Sequence, residues 1–253
     1  MIVFDGVTKR FPAERSKWWS PKTREELTAV RALSFQCHPG RICALLGPNG
    51  SGKTTALRMV ATLLRPSEGR VEITGLDSVE EAVAVRRKIG FLTGTTSLYR
   101  HLSPLETLRY FGGLYGLAPD RCEERARQLI ERFGIGSFQD RPIARLSMGM
   151  KQKVSIARIL LHDPEVMVFD EVTVGLDVLT SRNVIALVRE CREQGKTVLF
   201  STHLMEEVAQ LADDVVVIHE GEKVFAGKFE DLESGRQAPS LQDEFIRLLG
   251  DAV

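Results

Sequence analysis

The segment from Gly47 to Thr55 carries the residue pattern in this chain that is best suited to chemistry. It reads Gly-Pro-Asn-Gly-Ser-Gly-Lys-Thr-Thr and matches the phosphate-loop pattern G-x-x-x-x-G-K-[ST]. Glycines let the backbone curl so that successive N–H groups point at phosphate oxygens. Lys53 supplies a cation for the β- and γ-phosphates, and Thr54 offers a hydroxyl to Mg²⁺. We therefore expect ATP to be bound by Gly47, Pro48, Asn49, Gly50, Ser51, Gly52, Lys53, Thr54 and Thr55; a glycine-rich turn without a ligand is the alternative.

A second candidate is an apolar segment that ends in two carboxylates, Val166-Met-Val-Phe-Asp170-Glu171. In a phosphate-loop protein Asp170 can hold Mg²⁺, directly or through water. Glu171 can polarise the attacking water as a general base. Alone, such a segment is equally typical of a solvated strand end. Together with the phosphate loop it predicts ATP hydrolysis.

These motifs need buried strands and following helices to position them, and the hydrophobic pattern supplies both. Apolar runs predict strands at Met1–Phe4, Arg41–Leu46, Val71–Ile73, Ile89–Leu92, Glu165–Phe169, Thr197–Ser201 and Val215–His219. Helical periodicity predicts helices at Lys53–Leu64, Val79–Lys88, Met150–Leu161, Thr180–Gln194 and Met205–Ala212. This alternation predicts an α/β fold with parallel strands at its centre. The N-terminal runs have no helices between them, which favours antiparallel pairing there.

The middle of the chain has a different pattern, with helices predicted at Leu105–Tyr115 and Arg121–Phe133 and little strand signal. We interpret residues 97–145 as a helical insertion that continues into the following helix, within one domain whose core comprises residues 1–96 and 146–253. Gly112-Gly113 and the nearby Tyr110, Phe111 and Tyr115 are compatible with a docking surface or with a close helix contact. The tail, Leu241–Leu249, predicts an amphipathic helix that packs on the domain.

Composition narrows the class of protein. Apolar residues make up 43% and charged residues 27%, as in a soluble globular protein. The 34 Lys and Arg residues balance the 34 Asp and Glu residues, so we expect no nucleic-acid partner. Four scattered cysteines predict buried thiols in a reducing compartment. No signal peptide and no membrane-spanning run is recognisable, so we expect a cytoplasmic protein that reaches a membrane only through a partner.

The sequence Leu146-Ser147-Met148-Gly149-Met150, which leads into a helix, resembles the signature sequence of ATP-binding-cassette (ABC) proteins, LSGGQ in its common form. A Ser and a Gly at a helix N-terminus can meet a phosphate through the backbone; an ordinary capped helix start is the alternative. The resemblance implies that Ser147, Met148 and Gly149 contact nucleotide. It extends to Gly175-Leu-Asp177, which is similar to the family's D-loop, to His203, similar to its switch histidine on the γ-phosphate, and to Phe11, similar to its adenine-stacking aromatic.

Membership of this family would imply a P-loop NTPase (RecA-like) mixed sheet with an N-terminal antiparallel β-subdomain and an inserted α-helical subdomain. It would imply a head-to-tail pair of ATPase subunits, each ATP lying between the Lys53 loop of one and the Ser147–Gly149 segment of the other. Lys53, Glu171 and His203 would be catalytic, and Thr54 and Asp170 would hold Mg²⁺. The resemblance further implies integral membrane permease subunits as partners and a peripheral place on the cytoplasmic face of the cell membrane.

Two departures from the family pattern bear on mechanism: Gly94 stands where a Gln is usual, and Met148 and Met150 replace Gly and Gln. The sequence from Phe91 to Tyr99 is similar to that of ATPase subunits of sodium-extruding bacterial exporters, which predicts export of sodium or another small substrate. A soluble ABC ATPase of DNA repair or translation is the alternative, and a non-hydrolysing scaffold is a third. Trp18-Trp19 fits either packing on the domain or contact with a partner.

Overall fold

The computed structural model describes residues 1–12, 26–93, 98–174 and 178–250. Its strands are β1 (Ile2–Pro12), β2 (Glu26–Cys37), β3 (Ile42–Leu46), β4 (Glu68–Ile73), β5 (Leu76–Asp77), β6 (Ile89–Thr93), β7 (Val166–Asp170), β8 (Thr197–Thr202), β9 (Asp214–His219) and β10 (Glu222–Lys228). Its helices are α1 (Lys53–Val60), α2 (Ala82–Lys88), α3 (Pro104–Tyr115), α4 (Pro119–Arg132), α5 (Met148–Leu160), α6 (Val178–Glu193), α7 (Met205–Leu211), α8 (Phe229–Ser234) and α9 (Leu241–Gly250).

The larger sheet has the strand order β10-β9-β3-β8-β7-β6. Its inner pairs, β9 with β3, β3 with β8, β8 with β7 and β7 with β6, are parallel, and β10 is an antiparallel edge strand. The α/β fold with parallel central strands is confirmed. Because parallel neighbours end at the same edge, the carboxyl ends of β3, β7 and β8 lie side by side.

The parallel strands divide the hydrophobic core into two layers. Every residue of β3 is buried, and alternate side chains point to opposite faces of the sheet. Ile42, Ala44 and Leu46 join the core that the helical insertion, α5 and α6 cover. Cys43 and Leu45 join the core formed with α1 and the N-terminal sheet. Burial on both faces explains why this strand is a continuous apolar run.

The N-terminal sheet has the order β2-β1-β4-β5, and all its pairs are antiparallel, as predicted. β1 runs on to Pro12, well beyond the predicted end at Phe4, because irregularities in its pairing interrupt the apolar alternation. The sequence did not predict β2 or β10. Both carry many exposed residues, so neither has the apolar run that identifies a central strand.

Helix ends differ from prediction where local hydrogen bonds override periodicity. α1 was predicted to reach Leu64 but ends at Val60, because Thr62 adopts φ +59° and the Leu63 N–H bonds back to the Arg58 carbonyl at 2.9 Å. α2 begins at Ala82 rather than Val79. The Asp77 carboxylate accepts the N–H of Val79 at 2.7 Å and that of Glu80 at 3.0 Å, holding these residues in a turn.

The predicted helical insertion is present. α3 begins with a capping box in which the Ser103 hydroxyl accepts the Glu106 N–H and the Glu106 carboxylate accepts the Ser103 N–H. A Cβ atom on Gly112 would lie 2.2 Å from Cys122 Sγ, so α3 and α4 pack closely because Gly112 has no side chain. Gly113 would meet nothing within 4 Å. The close helix contact is therefore correct for Gly112.

Other features bear on compartment and partners. The four cysteines are free and buried. In the described ranges, no helix combines the length and apolar character needed to cross a bilayer. The predicted tail helix is present as α9, which packs against α7 and β10. Trp18 and Trp19 lie outside the described residues.

Candidate functional site

The phosphate loop connects the buried end of β3 to the start of α1. Gly52 caps α1 with φ +103°, a conformation that favours glycine. A Cβ atom there would lie 2.4 Å from the Ala29 carbonyl oxygen, and one on Gly47 would lie 2.3 Å from the Ile218 carbonyl oxygen. The backbone of β2 and that of β9 therefore pack against the loop at Gly52 and Gly47, where a side chain would collide with them.

Lys53 is the cation of the loop. Its side chain is 4% exposed, and its ammonium donates hydrogen bonds to the carbonyls of Gly47 at 2.8 Å and Pro48 at 3.0 Å. The same nitrogen lies 3.4 Å from Glu171 Oε1. The ammonium thus lies at the centre of the loop, next to the proposed general base, where a phosphate chain would meet it.

Asp170 ends β7 beside the phosphate loop. Its Oδ1 accepts a hydrogen bond from Thr54 Oγ1 at 3.2 Å and from Ser201 Oγ at 2.8 Å. A carboxylate and a hydroxyl are hard oxygen donors, and Mg²⁺ is commonly held by one or two carboxylates together with phosphates and water. Thr54 and Asp170 therefore fit Mg²⁺, and the structure brings them together as the motifs predicted.

Ser201 was missed by sequence reasoning. It is paired with Asp170 in the register of β7 and β8. Its hydroxyl donates to Asp170 and accepts the Glu171 N–H at 3.1 Å. The available signal was its position at the end of the predicted strand Thr197–Ser201, at the same sheet edge as the carboxylates.

Glu171 follows the strand in a left-handed conformation, φ +48°. Such a conformation is unfavourable for a residue with a side chain and is often found at functional sites. It turns the carboxylate toward Lys53 on one side and His203 on the other, whose Nδ1 lies 3.6 Å from Glu171 Oε1. The structure therefore joins the three proposed catalytic side chains in one cluster.

Two polar atoms, Ser51 Oγ in the phosphate loop and His203 Nδ1 in the cluster, are buried without a hydrogen-bond partner in the described part of the chain. Most buried polar atoms in folded proteins are hydrogen-bonded, so each exception needs an explanation. Both lie in segments that the sequence assigns to phosphate. A ligand that brings oxygen atoms to this sheet edge would satisfy them.

Phe11 lies on β1, outside the hydrophobic cores of the described residues. It is half-buried, belongs to neither hydrophobic core, and pairs with Leu27 across β1 and β2. Leu27 is two residues from Ala29, whose carbonyl touches the loop at Gly52. Two residues of a strand span about 7 Å. Phe11 is therefore on the strand next to β2, which packs against the loop, and its stacking on adenine stays a prediction.

The signature segment is apart from this cluster. Ser147 caps α5 by accepting the Met150 N–H at 3.3 Å, and Met148 is 71% exposed. Among the described residues, no hydrogen bond or ion pair joins Ser147, Met148 or Gly149 to the loop of residues 47–55. Asp177, the predicted D-loop residue, and Gly94 lie outside the described residues.

Comparison with known proteins shows similarity to one protein family over most of the chain. The sequence profile of the ABC transporter family matches residues 30–174. The ABC transporter ATP-binding protein NatA of Bacillus subtilis (strain 168) is 40% identical over 98% of this chain and 98% of its own length. The daunorubicin resistance ATP-binding protein DrrA3 of Streptomyces coeruleorubidus is 36% identical over 92% of this chain and 70% of its own length.

Solved structures have the same architecture. The ATP-binding subunit of an ABC transporter superposes with a TM-score of 0.83, at 26% identity over 98% of both chains. A dimeric ATP-binding cassette in a post-hydrolysis state, bound to ADP and phosphate, superposes with a TM-score of 0.77, at 26% identity over 90% of this chain and 98% of its own.

Proposed function

This chain belongs to the ABC transporter family of ATP-binding proteins, and from that premise we propose which of its residues bind and hydrolyse ATP. The chain is the ATP-hydrolysing subunit of an exporter. One observation carries the proposal: Lys53, Asp170 and Glu171 meet at a single sheet edge, with the Lys53 ammonium 3.4 Å from the Glu171 carboxylate. A soluble ATPase of DNA repair or translation is not favoured, because relatives matched over most of the chain are transporter and resistance proteins.

Each side chain of this cluster has a distinct role in the proposal. The amides of residues 47–55 and the Lys53 ammonium bind the phosphate chain, and Phe11 stacks on adenine. Glu171 accepts a proton from the attacking water, and His203, 3.6 Å from it, orients that water and the γ-phosphate. Thr54 and Asp170 would hold Mg²⁺, which when bound neutralises negative charge on the phosphates.

The second half of the site comes from another subunit in this proposal. Ser147 and Gly149 keep the backbone that can approach a phosphate at the start of α5, and the neighbouring Met148 projects into solvent. One solved ATP-binding cassette with this fold is dimeric in two structures. We infer that two ATPase subunits enclose ATP between the Lys53 loop of one and Ser147–Gly149 of the other, with Asp177 at the junction.

An aromatic cluster on the helical insertion is the proposed docking surface for an integral membrane permease subunit. Tyr99 and Tyr110 are 47% and 46% exposed, and their rings meet edge to face at 5.4 Å. Leu114 is 61% exposed beside them on α3. Tyr115 is not part of this surface, because it stacks on His162 with ring centroids 3.7 Å apart. Docking here would hold the chain on the cytoplasmic face of the membrane.

The class of transported substrate is the most specific part of the proposed function. The likeness of residues 91–99 to sodium-extruding exporters favours sodium ions or another small substrate. Three relatives are resistance proteins by name, two of them for daunorubicin and one for linearmycin. Flux of sodium and of an amphipathic drug, measured in vesicles that contain this chain and its permease subunits, separates the two substrate classes.

The test of the site compares Lys53→Ala with the matched surface variant Lys228→Ala in Mg·ATP binding and turnover. Charge-assisted hydrogen bonds contribute roughly 1.5–3 kcal/mol. We therefore expect Lys53→Ala to weaken ATP binding by about tenfold to a hundredfold and Lys228→Ala to leave it unchanged. Wild-type protein without affinity for millimolar Mg·ATP, together with an unaffected Lys53→Ala, would refute the assignment of this site.

A further inference from the structure

The carboxylate of Glu207, on α7, links two segments that flank the proposed catalytic residues. Its Oε2 accepts a hydrogen bond from Thr202 Oγ1 at 2.6 Å, and its Oε1 accepts one from Thr173 Oγ1. The Thr202 hydroxyl in turn accepts the Leu204 N–H at 3.0 Å. One side chain therefore ties the turn after β7 to the end of β8.

Both tied segments carry a residue of the hydrolytic cluster. Thr173 lies two residues after Glu171, and the two belong to one turn, in which the Val174 N–H bonds to the Glu171 carbonyl at 3.3 Å. Thr202 immediately precedes His203. Glu207 is thus joined to the turn that holds Glu171 through one oxygen and to the segment that holds His203 through the other.

Such a bridge suits a carboxylate. An ionised carboxylate accepts on both oxygens, and hydroxyl donors to it make short, strong hydrogen bonds. The backbone of Glu171 is held in a left-handed conformation, which persists only where surrounding contacts determine it. The Ser201 hydroxyl holds this turn at its first residue, Glu171, at 3.1 Å, and Glu207 holds it two residues later, at Thr173.

A simpler role for Glu207 is to complement the dipole of α7, since it lies in the first turn of that helix. Glu206 lies in the same turn, carries the same charge and is exposed. It therefore serves as a matched control, because it shares the dipole effect with Glu207 but not the bridge between Thr173 and Thr202.

We propose that Glu207 is a positioning residue for ATP hydrolysis, which holds the Glu171 turn and the His203 segment at the spacing that the reaction needs. This inference rests on the proposed roles of Glu171 and His203. Misplacing a reacting group by about 1 Å can cost on the order of a hundredfold in rate. ATP binding depends on the Lys53 loop, and among the described residues no hydrogen bond or ion pair joins Glu207 to that loop. We therefore expect the substitution to change kcat rather than the KM for ATP.

The experiment measures steady-state ATP turnover and ATP-binding stoichiometry for full-length wild type, Glu207→Ala, Glu207→Gln and Glu206→Ala. We expect Glu207→Ala to lower kcat per ATP-binding site by about tenfold or more, with the KM for ATP within about twofold of wild type. Glu207→Gln, which keeps one acceptor oxygen, should recover part of the rate. Glu206→Ala should match the wild type.

A double-mutant cycle tests the bridge itself. Thr202→Val should lower kcat in the wild-type background and have little further effect in Glu207→Ala, because contacting residues are not additive. Independent effects of the two substitutions, or a Glu207→Ala kcat within twofold of wild type while Glu171→Gln is inactive, would overturn the inference alone. Wild-type protein without turnover would overturn it together with the proposed roles of Glu171 and His203.

Discussion

The phosphate-loop half of the site and the signature half are built in opposite ways. Lys53 is 4% exposed and Asp170 is 9% exposed, and both are held by hydrogen bonds from within the chain. Met148, in the signature segment, is 71% exposed, and a Cβ on Gly149 would come no closer than 3.9 Å to another atom, Thr180 Oγ1. The first half is shaped by contacts inside the chain, whereas the second presents open backbone at the surface.

This difference shows which part of the ATP site a single subunit completes by itself. Contacts within the chain alone position the residues proposed to bind phosphate and metal and the proposed general base. Ser147 is exposed and Gly149 is half-buried at the start of α5, where we expect a second subunit to use them. Substitutions in the first half should therefore affect the isolated subunit, and substitutions in the second should act only when two subunits meet.

The largest expected effect is that of Glu171→Gln, which removes the proposed general base from the phosphate-loop half of the site. General-base catalysis contributes typically 10²- to 10⁴-fold, so we expect turnover to fall by about that factor. ATP affinity should persist and dimers should accumulate, because the sandwich forms but does not hydrolyse. ATP turnover and size-exclusion chromatography with ATP measure both outcomes. Glu193→Gln, which changes an exposed residue at the end of α6, is the control. Turnover of Glu171→Gln within tenfold of wild type would contradict the role of Glu171.

Gly52→Ala should act on the isolated subunit. The added Cβ would lie 2.4 Å from the Ala29 carbonyl oxygen at a position with φ +103°. Overpacking of this kind costs about 1–3 kcal/mol, and the left-handed conformation adds to it. We expect a lower Tm and weakened ATP binding, measured by thermal unfolding with and without Mg·ATP. An unchanged Tm would mean that β2 does not press on the loop in solution.

Gly149→Ala should impair the signature half of the site and leave the phosphate-loop half unchanged. The same chemical change here meets no close atom, and alanine is favoured over glycine in a helix by about 0.5–1 kcal/mol. We expect Tm and ATP affinity of the subunit to be unchanged or slightly improved. Turnover should fall about tenfold, because a methyl group would block backbone approach to the partner's phosphate. A drop in ATP affinity measured on dilute, monomeric subunit would contradict the division between halves.

The smallest effect lies outside both halves, at Glu244 in α9. Its carboxylate accepts the N–H groups of Gln237 at 2.9 Å and Ala238 at 3.1 Å and pairs with Arg247. The Arg247 guanidinium and these N–H groups lower the pKa of Glu244 to about 2. A depressed pKa adds stability above the unfolded value of about 4.3, and this stability is lost as pH falls toward 2.

Thermal unfolding at pH 7 and at pH 3 measures this contribution. Glu244→Gln should have a lower Tm than wild type at pH 7, and the difference should shrink at pH 3. Turnover at pH 7 should be unchanged, because Glu244 belongs to neither half of the ATP site. A Tm difference that stays constant with pH would show that the carboxylate charge does not stabilise α9.

Among the strands, the sequence predicted best those that are buried on both faces. β3, β6, β7, β8 and β9 were predicted to within one residue at each end, since a strand covered on both sides must be apolar throughout. β2 and β10 were missed because exposed residues interrupt them. Their backbone matters nonetheless, since β2 presses on Gly52 and shapes the phosphate loop.

The amino-acid sequence alone predicts which residues bind phosphate. The glycines, Lys53 and Thr54 lie within one loop, and Asp170 and Glu171 are adjacent. The residues of each motif are therefore close together along the chain, where a sequence pattern can identify them. The hydrogen-bond partners of these residues are visible only in the three-dimensional structure. Ser201 bonds to Asp170 and to the Glu171 amide, and Glu207 bonds to Thr173 and Thr202. Such contacts join segments distant in the chain, and strand register, which no local pattern encodes, brings them within hydrogen-bonding distance.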